Sequence, residues 1–197
     1  WMTSQPSPSI MRFDFASQSA LAVALQPSDL PDDSGTAHAN TRCVGCHALS
    51  RDGIRMVAST GASWAGYLVY INDLRKPKTA ADWLTVDGRA TGTAAANRVM
   101  TASFNPDGSQ FVADAPVGAA LGSTKLAFHL GTTGVRQKTL DVGFNVSFPD
   151  WSPDGQTIAV THIYGQNSST IEFQEGGISV IQNSATGWNP AEVVVVP

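Results

Sequence analysis

Charged residues, cysteines and long apolar runs are all scarce in this chain. Of its 197 residues only 14% are charged, the formal net charge is −4, and there are two cysteines. The few lysines and arginines are spread along the sequence, which argues against a nucleic-acid partner. No apolar run approaches the ~20 residues that a membrane span requires, and helical periodicity is rare. We therefore predict a β-rich protein with no nucleic-acid partner and no membrane span in this segment.

Both cysteines belong to one short motif. Residues 43–47 read Cys-Val-Gly-Cys-His, which is the C-x-x-C-H spacing of c-type haem attachment. In that chemistry the thiols of Cys43 and Cys46 bond to the two vinyl groups of one porphyrin, and the imidazole of His47 binds the iron. The motif thus predicts one covalent haem c held by these three residues, and it favours electron transfer.

A metal site, a redox dithiol and a disulfide are less favoured roles for the cysteine pair, but they remain open. Two cysteines cannot complete a Cys₄ or Cys₃His zinc site, although a Cys₂His₂ site with a second histidine is possible. A thioredoxin-like dithiol requires a strand-to-helix context, whereas Ser50-Arg51-Asp52-Gly53 predicts a turn here. A disulfide across two residues would be strained and would close almost no loop.

A short pattern occurs three times along the chain. Residues 101–114 (TASFNPDGSQFVAD) align with residues 148–161 (FPDWSPDGQTIAVT), with the turn aspartates 47 residues apart. A third copy, residues 46–59, begins on Cys46 and has Asp52-Gly53 at its turn. Asp caps such a turn and Gly takes the positive φ, so each copy predicts a β-hairpin. The haem motif therefore opens one of the repeat units.

Two further apolar segments follow each hairpin. Third strands are predicted at 66–71, 124–130 and 177–181, and fourth strands at 82–86, 138–142 and 192–196. Two more strands, at 10–15 and 20–25, precede the haem motif. Each repeat unit is thus expected to be a four-stranded antiparallel sheet, with half a unit ahead of the first.

These repeats, with their Ser-Pro-Asp-Gly turns, resemble the TolB-type β-propeller repeat over nearly the whole chain. The resemblance implies an all-β propeller segment of about three and a half blades. Its expected units are a half-blade with its loop (1–41), the haem-bearing blade (42–97) and two more blades (98–144 and 145–197). Because known propellers need at least about four blades, we expect a longer polypeptide or a partner chain to supply the others.

The sixth position of the iron has several candidate ligands. We take the first strand of each blade to run from one face of the propeller, called the top, to the other face. The haem cysteines, just before the first strand, then lie at the top, and the axial ligand must lie there too. Met100, which directly precedes the first strand of the next blade, is geometrically favoured, and His38 and His162 are alternatives. An open site, or a ligand from outside this chain, also remains possible. At the same face Arg98 is expected to pair with a haem propionate, and Trp64 to form part of the haem wall.

The leading function is electron transfer by one haem c on a propeller scaffold, with a redox partner protein. The alternatives are a redox enzyme subunit with an open iron site for a small ligand, and a protein-interaction scaffold with structural haem. A TolB-like propeller with C-x-x-C-H at the head of a blade also resembles the multidomain secreted cytochromes of bacteria. That resemblance implies a periplasmic or extracellular location.

Overall fold

The computed structural model describes residues 9–13, 16, 20–29, 43–61, 66–80, 83–87, 98–99, 101–114, 123–164, 175–189 and 193–196. Within these ranges the chain forms β-strands and one short 3₁₀ turn, Pro27–Asp29, and no α-helix. The strands are β1 (Ile10–Arg12), β2 (Ala22–Leu25), β3 (Cys43–Leu49), β4 (Met56–Gly61), β5 (Gly66–Ile71), β6 (Leu84–Asp87), β7 (Arg98–Val99), β8 (Ala102–Phe104), β9 (Gln110–Asp114), β10 (Lys125–Leu130), β11 (Arg136–Asp141), β12 (Val146–Trp151), β13 (Thr157–Ile163), β14 (Gly176–Ser184), β15 (Gly187–Trp188) and β16 (Val193–Val196).

The strands form four antiparallel sheets in chain order. The half-blade is the pair β1-β2, blade 1 is β3-β4-β5-β6, and blade 2 is β8-β9-β10-β11. Blade 3 has the order β12-β13-β14, and both β15 and β16 pair with β14. The short strand β7 adds to blade 1 by pairing with β5. The predicted all-β propeller segment of three and a half blades is confirmed, because the alternating apolar segments of the repeats form the expected strands.

The first strands of the three whole blades lie side by side and line the propeller axis. The backbone N–H of Phe148 on β12 donates to Thr101 Oγ1 of blade 2 at 3.0 Å. The hydroxyl of Ser103 on β8 donates to Asp150 Oδ1 at 3.0 Å and accepts from the N–H of Trp151 at 3.1 Å. Side chains of blade 2 therefore satisfy part of the free backbone edge that β12 presents.

The three repeated turns are built by the same contacts. The carboxylates of Asp52, Asp107 and Asp154 each accept the backbone N–H two residues later, at 2.9, 2.8 and 2.9 Å. The glycine that follows each aspartate has a φ of 69°, 69° or 74°, which a residue with a Cβ adopts only at a cost. Hydrogen bonds from nearby Ser and Asn side chains and from the backbone lower the pKa of all three carboxyls. The turns thus favour the ionised carboxylate.

These turns predict a stability that decreases in acid. A carboxyl whose folded-state pKa is depressed stabilises the fold above its unfolded pKa of about 3.9, and this contribution is lost as the pH falls through the folded values. We expect the urea midpoint to drop progressively below about pH 4. A variant with Asn at positions 52, 107 and 154 should show a flatter dependence, because the amide oxygen still accepts the turn N–H but does not titrate. An equal slope in both proteins would contradict the prediction.

Three apolar layers separate the successive sheets. Between the half-blade and blade 1 lie Ile10, Leu25, Val44, Met56 and Trp83 with their neighbours. Between blades 1 and 2 the layer includes Val57, Tyr70, Phe104, Phe111 and Ala113. The layer between blades 2 and 3 includes Leu126, Phe128, Val146, Trp151 and Ile181. Alternate residues of β4 face opposite layers, so blade 1 is covered on both faces.

Trp151 is the central side chain of the layer between blades 2 and 3. Its ring is 9% exposed, meets Phe128 edge-on at 5.8 Å and Trp188 at 5.4 Å, and its Nε1 donates to the carbonyl of Gly155. Replacing Trp151 by Ala should lower the free energy of unfolding by roughly 3–5 kcal/mol. Phe148→Ala on the same strand is the matched control, because Phe148 is 45% exposed and its loss should cost far less. Comparable losses in urea unfolding would refute this packing role.

Candidate functional site

The C-x-x-C-H motif forms the inner strand of blade 1. Cys43 is the first residue of β3 and pairs with Gly61, and Val44 is buried in the layer against the half-blade. The register shifts between Gly45 and Ala48, so that Cys46 and His47 together face a single residue of β4. This β-bulge places two consecutive side chains out of the regular alternation. The motif therefore lies within the strand, whereas the repeat pattern predicted a place just before it.

The bulge occurs in two of the three repeats, since β8 and β9 of blade 2 pair without a register shift. On β12 the register shifts in the same way between Ser147 and Asp150. The bulged residues Cys46 and Phe148 each lie six residues before their turn aspartate, and they have φ values of 42° and 48°. Such a φ is costly for a residue with a Cβ, by roughly 1–2 kcal/mol. Both side chains are exposed, so the fold presents residue 46 at a strained position on the inner strand.

His47 lines a cavity of about 580 Å³ between the half-blade and blade 1. One wall carries Ile10, Met11 and Val23 of the half-blade, and the other carries Met56 and Trp83 of blade 1. Trp83 is 3% exposed and Met56 is 2% exposed, so the blade 1 wall is apolar and rigidly packed. The volume falls within the ~300–1,000 Å³ range that is usual for cofactor and ligand sites.

Basic side chains gather around the same cavity. Arg12 of the half-blade and Arg75, Lys76 and Lys78 of the β5-to-β6 loop all line it. The guanidinium of Arg75 is held by Asp73 at 2.8 Å, and Lys78 Nζ pairs with Asp29 at 2.6 Å. The second of these ion pairs joins the half-blade segment to blade 1. Residues that are distant in the sequence thus place four basic side chains around an apolar cavity, and two of the four are paired with aspartates.

The imidazole of His47 is favoured in its neutral form. Its loss of hydration against the surrounding protein lowers its pKa below the ordinary value of 6.5. Neutral imidazole has a lone pair available for a metal ion, whereas the protonated ring does not. His47 is therefore in the protonation state that iron ligation requires at neutral pH.

The residues of the cavity fit the haem that the motif implies. The donor set is an imidazole with thioether sulfurs nearby, which is a combination that haem iron accepts in proteins. The buried indole Nε1 of Trp83, on the cavity wall, has no hydrogen-bond partner among the described residues. Buried donors of this kind usually have a partner, so Trp83 is consistent with an additional polar group in the cavity. The basic surround suits the carboxylates of a porphyrin.

The remaining site residues predicted from the sequence are only partly described. Met100, Trp64 and His38 lie outside the described residues, and Arg98 is described only as backbone of β7. His162 is the penultimate residue of β13 in blade 3 and stacks on Phe144 with ring centroids 4.2 Å apart. It thus belongs to the blade that packs against blade 2 in the layer of Phe128 and Trp151.

The sequence does not single out several residues of the cavity. Met11 and Arg12 give no local signal, because they reach the His47 cavity only through packing of the half-blade on blade 1. Trp83 gives none either, because it precedes β6, far from the motif in the sequence of the same blade. Arg75, Lys76 and Lys78 are recognisable as basic residues, but the sequence predicts only that they are solvated on the surface. The one sequence signal that could have located them is the pairing of 10–15 with 20–25 directly ahead of the motif, since neighbouring blades of a propeller pack face to face.

A second cavity, of about 340 Å³, lies on the axis near the repeated turns. It is lined by residues of all three inner strands, including Ala48, Ser103 and Asp150. Leu49, which is 52% exposed, borders both cavities and separates the His47 cavity from the axis. Nowhere in the described ranges, the His47 cavity included, does a group of three or more His, Cys, Asp or Glu side chains come together that could hold a metal ion. None of the described segments is a helix of the length and apolarity needed to cross a membrane.

Comparison with known proteins gives structural relatives. No protein-family model and no curated protein sequence matches the chain. TolB from Acinetobacter baumannii superposes with a TM-score of 0.59 at 16% identity, over 100% of this chain and 40% of that one. A prolyl endopeptidase gives 0.58 at 17% identity, over 98% and 26%. Hydrazine synthase from Kuenenia stuttgartiensis gives 0.50 at 17% identity, over 76% and 41%.

These likenesses show the fold, which is a TolB-like β-propeller. The chain spans less than half the length of each of these three proteins. At such low identities the shared architecture does not carry over an activity, because propellers host many unrelated functions.

Proposed function

We propose that this chain carries one covalent haem c and passes single electrons to a redox partner protein. The observation that carries the proposal is the C-x-x-C-H motif, folded into a bulge that exposes Cys46 and sets His47 beside a cavity of cofactor size. When bound, the haem supplies a one-electron iron couple, and the protein sets its position and potential.

The chain's own residues have separate tasks in this proposal. Cys43 and Cys46 anchor the porphyrin through thioether bonds, and His47 holds the iron with a neutral imidazole. Met56 and Trp83 make part of the cavity wall apolar, which would favour the less charged, reduced iron and raise its potential. Arg12 and Lys76 balance the propionate charges.

The proposed location follows from the chemistry of haem attachment. Attachment of haem c outside the cytoplasm, as in the cytochromes that the motif resembles, places the protein in the periplasm or outside the cell of a bacterium. The remaining blades come from a longer polypeptide or from a partner subunit.

The test is a visible spectrum of the purified protein, produced with an export signal in a bacterium that matures c-type cytochromes. One haem per chain by intact mass, with low-spin bands that do not change on adding carbon monoxide or cyanide, is the result expected for an electron carrier. Bands that shift with added ligand would favour the open-site redox enzyme instead. A colourless protein with two unmodified cysteines would overturn the haem proposal.

A further inference from the structure

Two sheets face each other across the His47 cavity, and each contributes one potential iron ligand. His47 stands on β3 in the wall of blade 1, and Met11 stands on β1 in the wall of the half-blade. Packed sheets lie about 10 Å apart, so side chains from the two inner faces meet near the middle of the gap. An imidazole and a thioether placed in this way can approach one metal ion from opposite sides.

A second bulge lies at Met11 itself. The register of β1 with β2 shifts between Ile10 and Met11, so that Ile10 pairs with Leu25 while Met11 pairs with Val23. Ile10 and Leu25 are buried in the layer against blade 1, whereas Met11 is half-buried and lines the cavity. Bulges commonly redirect a side chain next to a functional site.

Met56 is placed less favourably than Met11. Met56 also lines the cavity, but it stands on the same wall as His47 and is 2% exposed within the apolar layer. The residue after Met100 is Thr101, whose N–H donates to buried Asp114 of blade 2. Blade 2 packs on the opposite face of blade 1, where Val57 and Tyr70 lie. Thr101 therefore belongs to the blade on the side of blade 1 away from the cavity, whereas Arg98 and Val99 pair with β5 of blade 1. Met100 itself lies outside the described residues.

We propose that Met11 supplies the sixth ligand of the haem iron, opposite His47. The assignment rests on the proposed function, because it requires the haem that the motif implies. It gives the half-blade a role: the sheet that precedes the motif closes the site and delivers the ligand. The ion pair between Asp29 and Lys78, at 2.6 Å, holds that sheet against blade 1 and so helps to keep Met11 in place.

Substitution of Met11 tests this assignment. Met11→Leu preserves volume and hydrophobicity but removes the sulfur, so the fold should be retained. We expect the variant to keep one covalent haem, to bind added carbon monoxide where the wild type does not, and to have a lower reduction potential. Met11→His should restore a low-spin spectrum that ignores carbon monoxide, with a potential below that of the wild type, because imidazole stabilises ferric iron more than a thioether does.

The same measurement on Met100→Leu is the matched control. If Met100→Leu binds carbon monoxide and Met11→Leu does not, the sixth ligand is Met100 and the Met11 assignment is overturned. Covalent haem with an unchanged spectrum and potential in Met11→Leu also overturns it, while the proposed function stands. Absence of haem from the wild-type protein, by contrast, would refute the proposed function itself.

Discussion

Replacing both Cys43 and Cys46 by alanine should abolish covalent haem attachment while leaving the β-propeller fold in place. The two thioether bonds are the only covalent links the motif can make, since the chain has no other cysteine. Cys46 is exposed at a bulge, so its thiol contributes no buried packing that the variant would lose. Acid-acetone extraction measures the effect: the colour should stay with the wild-type polypeptide and pass almost entirely into the organic phase for the variant.

Two controls make this result specific. Circular dichroism and the urea midpoint should show that the double variant is still a folded β protein. The single variant Cys46→Ala should keep haem on the polypeptide through one remaining thioether, with a red-shifted reduced spectrum because one vinyl group stays unsaturated. Colour that remains with the polypeptide in the double variant would show that the cysteines do not hold the group.

Replacing His47 by alanine should remove the proximal iron ligand and convert the haem from low spin to high spin. The thioethers can still form, so haem content should change less than the spectrum does. Because the substitution removes one imidazole ring at the wall of the cavity, free imidazole should enter the vacated space and restore the low-spin bands at millimolar concentration. The recovery is measured by titrating imidazole into the variant and following the visible spectrum.

His162→Ala is the matched control for His47. His162 lies in blade 3 and stacks on Phe144, so its loss should leave the haem spectrum unchanged. An unaltered spectrum in His47→Ala would show that His47 is not an iron ligand. A high-spin spectrum in His162→Ala would show that His162 of blade 3 binds the iron.

Local sequence patterns predicted the strands well because each one depends on near neighbours. The segment 66–71 forms β5 with the predicted ends, and the Asp-Gly turns cap themselves through contacts two residues away. The fourth strand of blade 1 was expected at 82–86 and is β6, Leu84–Asp87. Such shifts of one or two residues are small because alternation defines a strand more sharply than its ends.

The bulge at Cys46 was not predicted; it recurs at Phe148 of blade 3, whereas β8 of blade 2 pairs without a register shift. Neither position has a glycine or asparagine, the residues that usually mark a positive φ. The strained conformation is maintained by pairing on both sides of the bulge, from Val44 to Ala48 on β3. A sequence pattern does not contain that information, because register is a property of two strands together.

The sequence by itself determined the repeat, the all-β class, the four-stranded units and the residues of the haem motif, since these depend on alternation, turn chemistry and a fixed spacing. Only the tertiary structure decided what surrounds His47. Packing of the half-blade on blade 1 brings Met11 and Arg12 to the same cavity as Trp83 and Lys78, across more than 60 positions of sequence. That cavity arises because two whole sheets pack together to bury apolar surface. Such burial is non-directional, so no local sequence pattern specifies which residues it brings together.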